Sequence, residues 1–202
     1  MTGTIFLVRH GQTTLNAEGR FRGRRDVSLD DRGFVQAADA SHQLVGVGVR
    51  AVYTSPLLRT VQTAQFVAHA CGLRITKLDD LIDLDHGRWE ALTAEEAAER
   101  DPEEYLRFRQ DPRHAVAPGG EGMAEVEHRV LAALTSIGTR HEGQAVVAVS
   151  HEMPIRLVIA ALAGIDGPAF WNVRLTTGSV TRLRHEVGSL ALEDEVLIAE
   201  PP

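Results

Sequence analysis

The sequence predicts an α/β protein, a sandwich of helices around a largely parallel sheet. Short apolar runs at 4–8, 51–54 and 145–149 alternate with stretches of helical periodicity, the pattern of strand-helix units. Each of these runs also stops at charged or hydroxyl residues instead of an ordinary turn. In open α/β sheets, side chains placed there face the crevice where ligands bind.

The elements follow in chain order. Thr4 to Val8 reads as a buried strand. Asp30 to Val45 carries Phe34, Ala37, Ala38, Leu44 and Val45 at helical spacing. Ala51 to Thr54 is a second strand that leads into Ser55-Pro56, read as a helix start with serine as cap and proline at the first position. That helix runs to about Ala70 and stops at Cys71-Gly72, and Leu73 to Leu78 follows as a strand. Residues 93–142 are mostly helical, with a loop at 111–122 marked by Pro112, Pro118 and Gly119-Gly120. Ala145 to Val149 is the clearest buried strand, a helix spans Glu152 to Ala163, and 179–185 and 189–193 form a closing pair of strands. No repeat or low-complexity linker divides the 202 residues, so a single domain is expected, with a helical or lid insertion at about 93–122.

Hydrophobic residues make up 44% and charged residues 24%, as in ordinary soluble domains. The net charge of -7 argues against binding nucleic acid or an anionic membrane surface. The longest apolar run, 157–165, is half a membrane span, and no signal peptide is visible, so a cytoplasmic location is expected. Cys71 is alone and is expected to be a buried thiol.

The chemistry lies at three strand ends. FLVRHGQTTLN (6–16) places Arg9 and His10 where the first run stops, AVVAVSHE (145–152) ends in Ser150-His151, and AVYTSPLLRT (51–60) brings Arg59 to the start of a helix. Arg59 opposes the helix macrodipole by a few tenths to about 1 kcal/mol, a conflict that an anion seated there would relieve. Two guanidinium forks suit a phosphoryl dianion. They also keep a neighbouring imidazole neutral, and hence nucleophilic at pH 7.

In order along the chain, RHGQTTLN (9–16), GRFRG (19–23), Asp26 with Leu29, Gly33, Gln36 and Ala37, SPLLRTVQTA (55–64), DLDHGRWEALT (83–93), PGGEG (118–122) and VSHE (149–152) resemble the histidine phosphatase superfamily, in its phosphoglycerate mutase-like branch. The resemblance covers about residues 4–183. It implies a three-layer α/β/α sandwich and a metal-independent phosphomonoesterase acting on a small phosphorylated metabolite, with no cofactor. His10 would form a phosphohistidine, and Arg9, Arg59 and His151 would hold the equatorial oxygens. Asn16 would join the pocket. The Glu152 amide would donate to phosphate, with its carboxylate turned away to avoid repelling the substrate. The family's general acid is a glutamate four residues before the glycine, which falls on Asp83. Asp85 would share its face in an extended segment and is the substitute.

Arg22 departs from the glutamine of many relatives and is either a third pocket cation or a solvated loop residue. Phe21 is expected to line the substrate pocket, whereas Trp89 and Phe108 are read as core. Arg113 and His114, on the loop, are candidate contacts for an acidic substrate. Asp79, Asp80, Asp83, Asp85 and His86 form an acidic cluster but lack the spacing of known metal-ligand motifs, so a metal site is not expected. Two rivals are a cofactor-dependent phosphoglycerate mutase and a non-catalytic phosphate-binding module. The short segment between Asp83 and PGGEG disfavours the mutase, and the full set of site residues disfavours the module. A small phosphomonoester is the expected partner, and a homo-oligomer is compatible with this sequence.

Overall fold

Six strands form one sheet in the order β3-β2-β4-β1-β5-β6: β1 Gly3–Arg9, β2 Val49–Thr54, β3 Ile75–Lys77, β4 Ala145–Ser150, β5 Val180–Glu186 and β6 Ser189–Leu192. A computed structural model of the chain describes residues 1–186 and 188–194. Strands β1, β4, β2 and β3 run parallel, while β5 is antiparallel to β1 and β6 to β5. The helices are α1 Thr14–Ala17, α2 Asp31–Gln43, α3 Leu58–Cys71, α4 Ala94–Arg100, α5 Pro102–Gln110, α6 Met123–Arg140 and α7 Glu152–Ala163.

Strand alternation sorts the core into two faces. Ile5 and Leu7 of β1 pack with Val146 and Ala148 of β4 against apolar residues of α6 and α7. Phe6 and Val8 point the other way, with Val147 and Val149, against Ala40 and Leu44 of the α2 side and Ala64 and Val67 of α3. The result is the expected three-layer α/β/α sandwich around a mostly parallel sheet. No helix of the described residues is long and apolar enough to cross a membrane.

Several boundaries differ from expectation. Helix α3 begins at Leu58, not Pro56, and its cap residue Leu57 supplies no side-chain bond. Asp26, from a distant loop, accepts from the Leu58 amide at 2.6 Å and takes the capping role. The strand expected at 73–78 shrinks to β3. Residues 111–122 hold a short 3-10 turn, Pro112–His114, and a bridge between Val116 and Gly122. Another 3-10 segment, Gly167–Asn172, follows α7. Within 93–122, Ala97 of α4 and Phe108 of α5 are buried in the main core, so this helical stretch is packed against the body of the protein.

Two glycines set how closely α2 approaches the turn after β1. A Cβ at Gly33 would lie 2.1 Å from the Gln12 carbonyl oxygen, and one at Gly11 would lie 2.2 Å from the Gly33 carbonyl oxygen. Both neighbours are backbone and cannot rotate away. Gly33→Ala is therefore expected to cost about 1–3 kcal/mol of stability and, by displacing the turn that carries His10, to lower catalytic efficiency. Urea unfolding and steady-state rates test this, and a variant with wild-type values for both would refute the close-packing argument.

Candidate active site

The parallel register of β1 and β4 ends with Arg9 opposite Ser150, and the His10 amide then donates to the Ser150 carbonyl at 3.1 Å. His10 and His151 therefore leave adjacent strands side by side. Their ring centroids are 5.3 Å apart at an interplanar angle of 63°. Thr63 of α3 ties in the third strand end, accepting from the Gly11 amide at 3.1 Å and donating to the Arg59 carbonyl at 2.8 Å.

His10 is fully buried. Its Nδ1 lies 2.6 Å from the Gly11 carbonyl, which can only accept, so Nδ1 carries the proton and Nε2 holds the lone pair. Nε2 is buried without a hydrogen-bond partner. Burial pushes the His10 pKa well below its ordinary value, and the positive charges of Arg59, Arg9 and Arg22 push it further. The result is a neutral imidazole with an uncommitted lone pair.

Arg59 is also fully buried. Its Nε donates to His151 Nδ1 at 3.1 Å, one terminal nitrogen to the Arg25 carbonyl at 2.8 Å, and the other to the Gly23 carbonyl at 2.8 Å and Asp83 Oδ2 at 3.1 Å. Because His151 Nδ1 accepts, its Nε2 bears the proton and faces Ser55 Oγ at 2.8 Å. Ser55 is thus a site residue and not a helix cap, a role the Ser-Pro pattern concealed.

Asp83 is buried, and its Oδ2 lies 3.7 Å from His151 Nδ1. Burial raises its pKa, over the opposition of Arg59 and Arg22. Asp85 is placed differently: one oxygen accepts from the Gly87 amide at 2.8 Å and the other is 3.8 Å from Arg24. The backbone thus brings Asp83, and not Asp85, to the strand ends.

Arg129 of α6, which sequence reasoning missed, holds the Asp83 segment in place. It donates to the carbonyls of Asp80 and Ile82 at 2.7 and 2.8 Å and to that of Asp83 at 3.2 Å. Glu121 of the PGGEG motif binds Arg129 in turn, at 2.9 and 3.0 Å. Ser150 Oγ also donates to the Leu81 carbonyl at 2.8 Å.

Arg22 joins the pocket. Phe21 exchanges backbone hydrogen bonds with Ala91 and Leu92, which fixes the loop, and an Arg22 terminal nitrogen meets Glu152 Oε2 at 3.0 Å. The Glu152 carboxylate corrects the expectation that it turns away. It points inward, its Oε2 2.6 Å from Arg9 and its Oε1 2.7 Å from Arg156. Burial pushes its pKa up, but Arg9, Arg22 and Arg156 overcome this and hold it at about 2. Arg9, which also donates to the Leu175 carbonyl, has its pKa lowered to about 10, chiefly by burial.

Other expected residues fall elsewhere. The Asn16 side-chain oxygen is committed to the Thr13 amide at 3.0 Å and the Thr13 hydroxyl at 2.8 Å, a reciprocal cap on α1, which leaves its NH₂ as the free end. Phe21 packs on His86 and Phe108, with centroids 4.8 and 6.1 Å away, as part of an aromatic wall beside the site. Arg113 is paired with Glu127 at 3.2 Å, and exposed His114 with Asp111 at 2.9 Å. Neither contacts the residues around His10, because local carboxylates hold both. Asp79 and Asp80 are exposed, and no group of three potential metal-ligating side chains forms among the described residues.

An α/β sandwich that gathers a neutral, uncommitted imidazole nitrogen and several guanidinium groups at its strand ends has the features of a phosphatase. The chain belongs to the histidine phosphatase superfamily (branch 1), whose sequence pattern matches residues 5–195. It is 36% identical over 182 residues to phosphoserine phosphatase 1 of Hydrogenobacter thermophilus, covering 90% of this chain and 86% of that one. It is 34% identical over 187 residues to the probable phosphoglycerate mutase GpmB of Salmonella paratyphi B, covering 90% and 85%. The solved structure of Bacillus stearothermophilus YhfR superposes with a TM-score of 0.89 at 30% identity over 98% of both chains. Some curated mycobacterial relatives are longer, and the chain spans about half (49%) of their length.

The buried imidazoles make stability depend on pH. His10, His86 and His151 all have pKa values lowered from 6.5, chiefly by burial, that of His86 to about 3. In the unfolded chain each takes a proton near 6.5, so the unfolded state binds more protons below that pH. Their contribution is complete above 6.5 and is lost as pH falls. Glu152 adds a loss between 4.5 and about 2. Asp83, with its raised pKa, works in the opposite direction. Unfolding free energy is therefore expected to fall from pH 6.5 to 4.5 with a slope of up to about 4 kcal/mol per pH unit, about 1.4 for each histidine proton, less what Asp83 offsets. Urea unfolding at stepped pH measures it, and a flat profile would show that the imidazoles are not held neutral.

Proposed function

We propose that the protein is a phosphomonoesterase that works through a phosphohistidine on a small phosphorylated metabolite, without a metal ion. The observation that carries this reading is the buried, unpartnered Nε2 of His10 set among Arg9, Arg22 and Arg59. The Nε2 lone pair attacks phosphorus in line with the ester oxygen. The P–O bond breaks, its electron pair goes to the leaving oxygen, and the Asp83 carboxyl supplies the proton. Water then attacks the phosphohistidine, Asp83 accepts its proton, and the P–N electron pair returns to His10 as phosphate departs. The guanidinium groups and His151 stabilise the charge that develops on the equatorial oxygens.

A raised Asp83 pKa suits this double duty, since the group must be protonated when substrate arrives and ionised when water attacks. Cations already on the chain supply the charge neutralisation that a metal ion provides in other phosphatases. The phosphoserine phosphatase relative supports hydrolysis over mutase chemistry. The preference for acidic substrates expected from Arg113 and His114 loses its basis, because both are held by local carboxylates away from His10.

A screen of phosphomonoesters in EDTA tests the proposal, with phosphoserine included and 3-phosphoglycerate offered with and without its bisphosphate primer. Hydrolysis should survive the chelator, His10→Ala should abolish it, and rapid acid-free quenching should trap labelled phosphate on His10. Asp83→Asn should slow alkyl phosphates at least about tenfold more than p-nitrophenyl phosphate, whose leaving group scarcely needs a proton. Activity lost to EDTA and restored by a divalent ion would overturn the mechanism. Primer-dependent isomerisation without net hydrolysis would make the protein a mutase, and phosphate binding with no turnover would make it a binding module.

A further inference from the structure

The Glu152 carboxylate has no role in the mechanism above, yet it binds three arginines from three parts of the chain. Oε2 is shared by Arg9 of β1 at 2.6 Å and Arg22 of the following loop at 3.0 Å, and Oε1 takes Arg156, one turn further along α7, at 2.7 Å. Arg9 directly precedes His10 in the chain, and Arg9 and Arg22 are both among the cations close enough to depress the His10 pKa. A phosphoryl group on His10 would therefore lie near two guanidinium groups that the Glu152 carboxylate already binds.

We infer that Glu152 is the built-in counter-anion of the phosphate clamp, a positioning residue that lowers the affinity for phosphate so that product leaves. This rests on the phosphatase reading of the site. Three guanidinium groups converge here with a fourth, Arg59, whose charge also acts on His10, and such a cluster without an internal anion binds a dianion tightly. The carboxylate withdraws part of that attraction from Arg9 and Arg22 and adds a like charge near the product. Phosphate, which carries no leaving-group contacts, then dissociates readily. The alternative is that Glu152 only aims Arg9, in which case its loss would weaken phosphate binding. The two roles predict effects of opposite sign.

The experiment compares inhibition constants for inorganic phosphate and orthovanadate, together with KM and kcat, in the wild type, Glu152→Gln, Glu152→Ala and Glu152→Asp. Gln removes the charge at nearly constant shape, Ala removes the side chain, and Asp keeps the charge. In Gln and Ala the phosphate and vanadate constants should fall about tenfold or more, with KM falling and kcat reduced as release slows. Asp should stay within about threefold of wild type. Thermal melts establish which variants fold, and either Gln or Ala suffices. Inhibition constants that rise or stay unchanged in a folded Gln or Ala variant would overturn this role while leaving the phosphatase reading intact. A wild type that is insensitive to both anions would overturn the clamp itself.

Discussion

The site is organised around one buried cation. A guanidinium group placed in the protein interior costs several kcal/mol unless every donor is met and a counter-charge is near. Arg59 finds a partner for each of its nitrogens in three segments: the Gly23 and Arg25 carbonyls of one loop, His151 after β4, and Asp83, its counter-charge, from the loop after β3. Its demand for acceptors fixes the loop that carries Arg22, the tautomer of His151 and the position of the acid. Burial keeps His10 neutral, and the same charge reinforces it. His10, the arginine cluster and Asp83 are therefore set by one electrostatic constraint.

A second set of contacts holds that constraint in place. Gly87 and Gly120 let the PGGEG loop press against the acid segment, where the Glu121 amide donates to the Asp85 carbonyl at 3.0 Å. Glu121 and Arg129 then brace the carbonyls of residues 80, 82 and 83 from the side of α6. The motif acts on the position of Asp83.

What was legible in the sequence is what local pattern controls. Strand ends at Arg9 and Ser150 follow from apolar runs that stop abruptly, and α2 and α7 follow from periodicity. The convergence of Arg59 and His151 could be argued because α/β sheets gather strand ends on one side. Contacts that span the chain were hidden. Nothing near Ser55 announces an imidazole 96 residues on, and repulsion of an anionic substrate argues for an outward Glu152 until Arg22, 130 residues earlier, stands beside it. Asp83 and Asp85 share a parity that only the turn at Gly87 separates. The pairing of His114 is legible locally, since Asp111 stands three residues before it. Arg113, by contrast, required knowing where Glu127 of α6 would lie.

The register of β1 carries a kinetic consequence. The strand that delivers the nucleophile pairs with β4 and β5, whose residues lie about 140 to 180 positions further along the chain. Closing such long loops precedes the gain from pairing, and domains built this way fold slowly. During synthesis His10 emerges first, but the strands that shield and orient it come last. A nascent chain would thus expose Arg9 and His10 without their partners until β5 is made, so chemical competence arrives only with the final strands of the sheet.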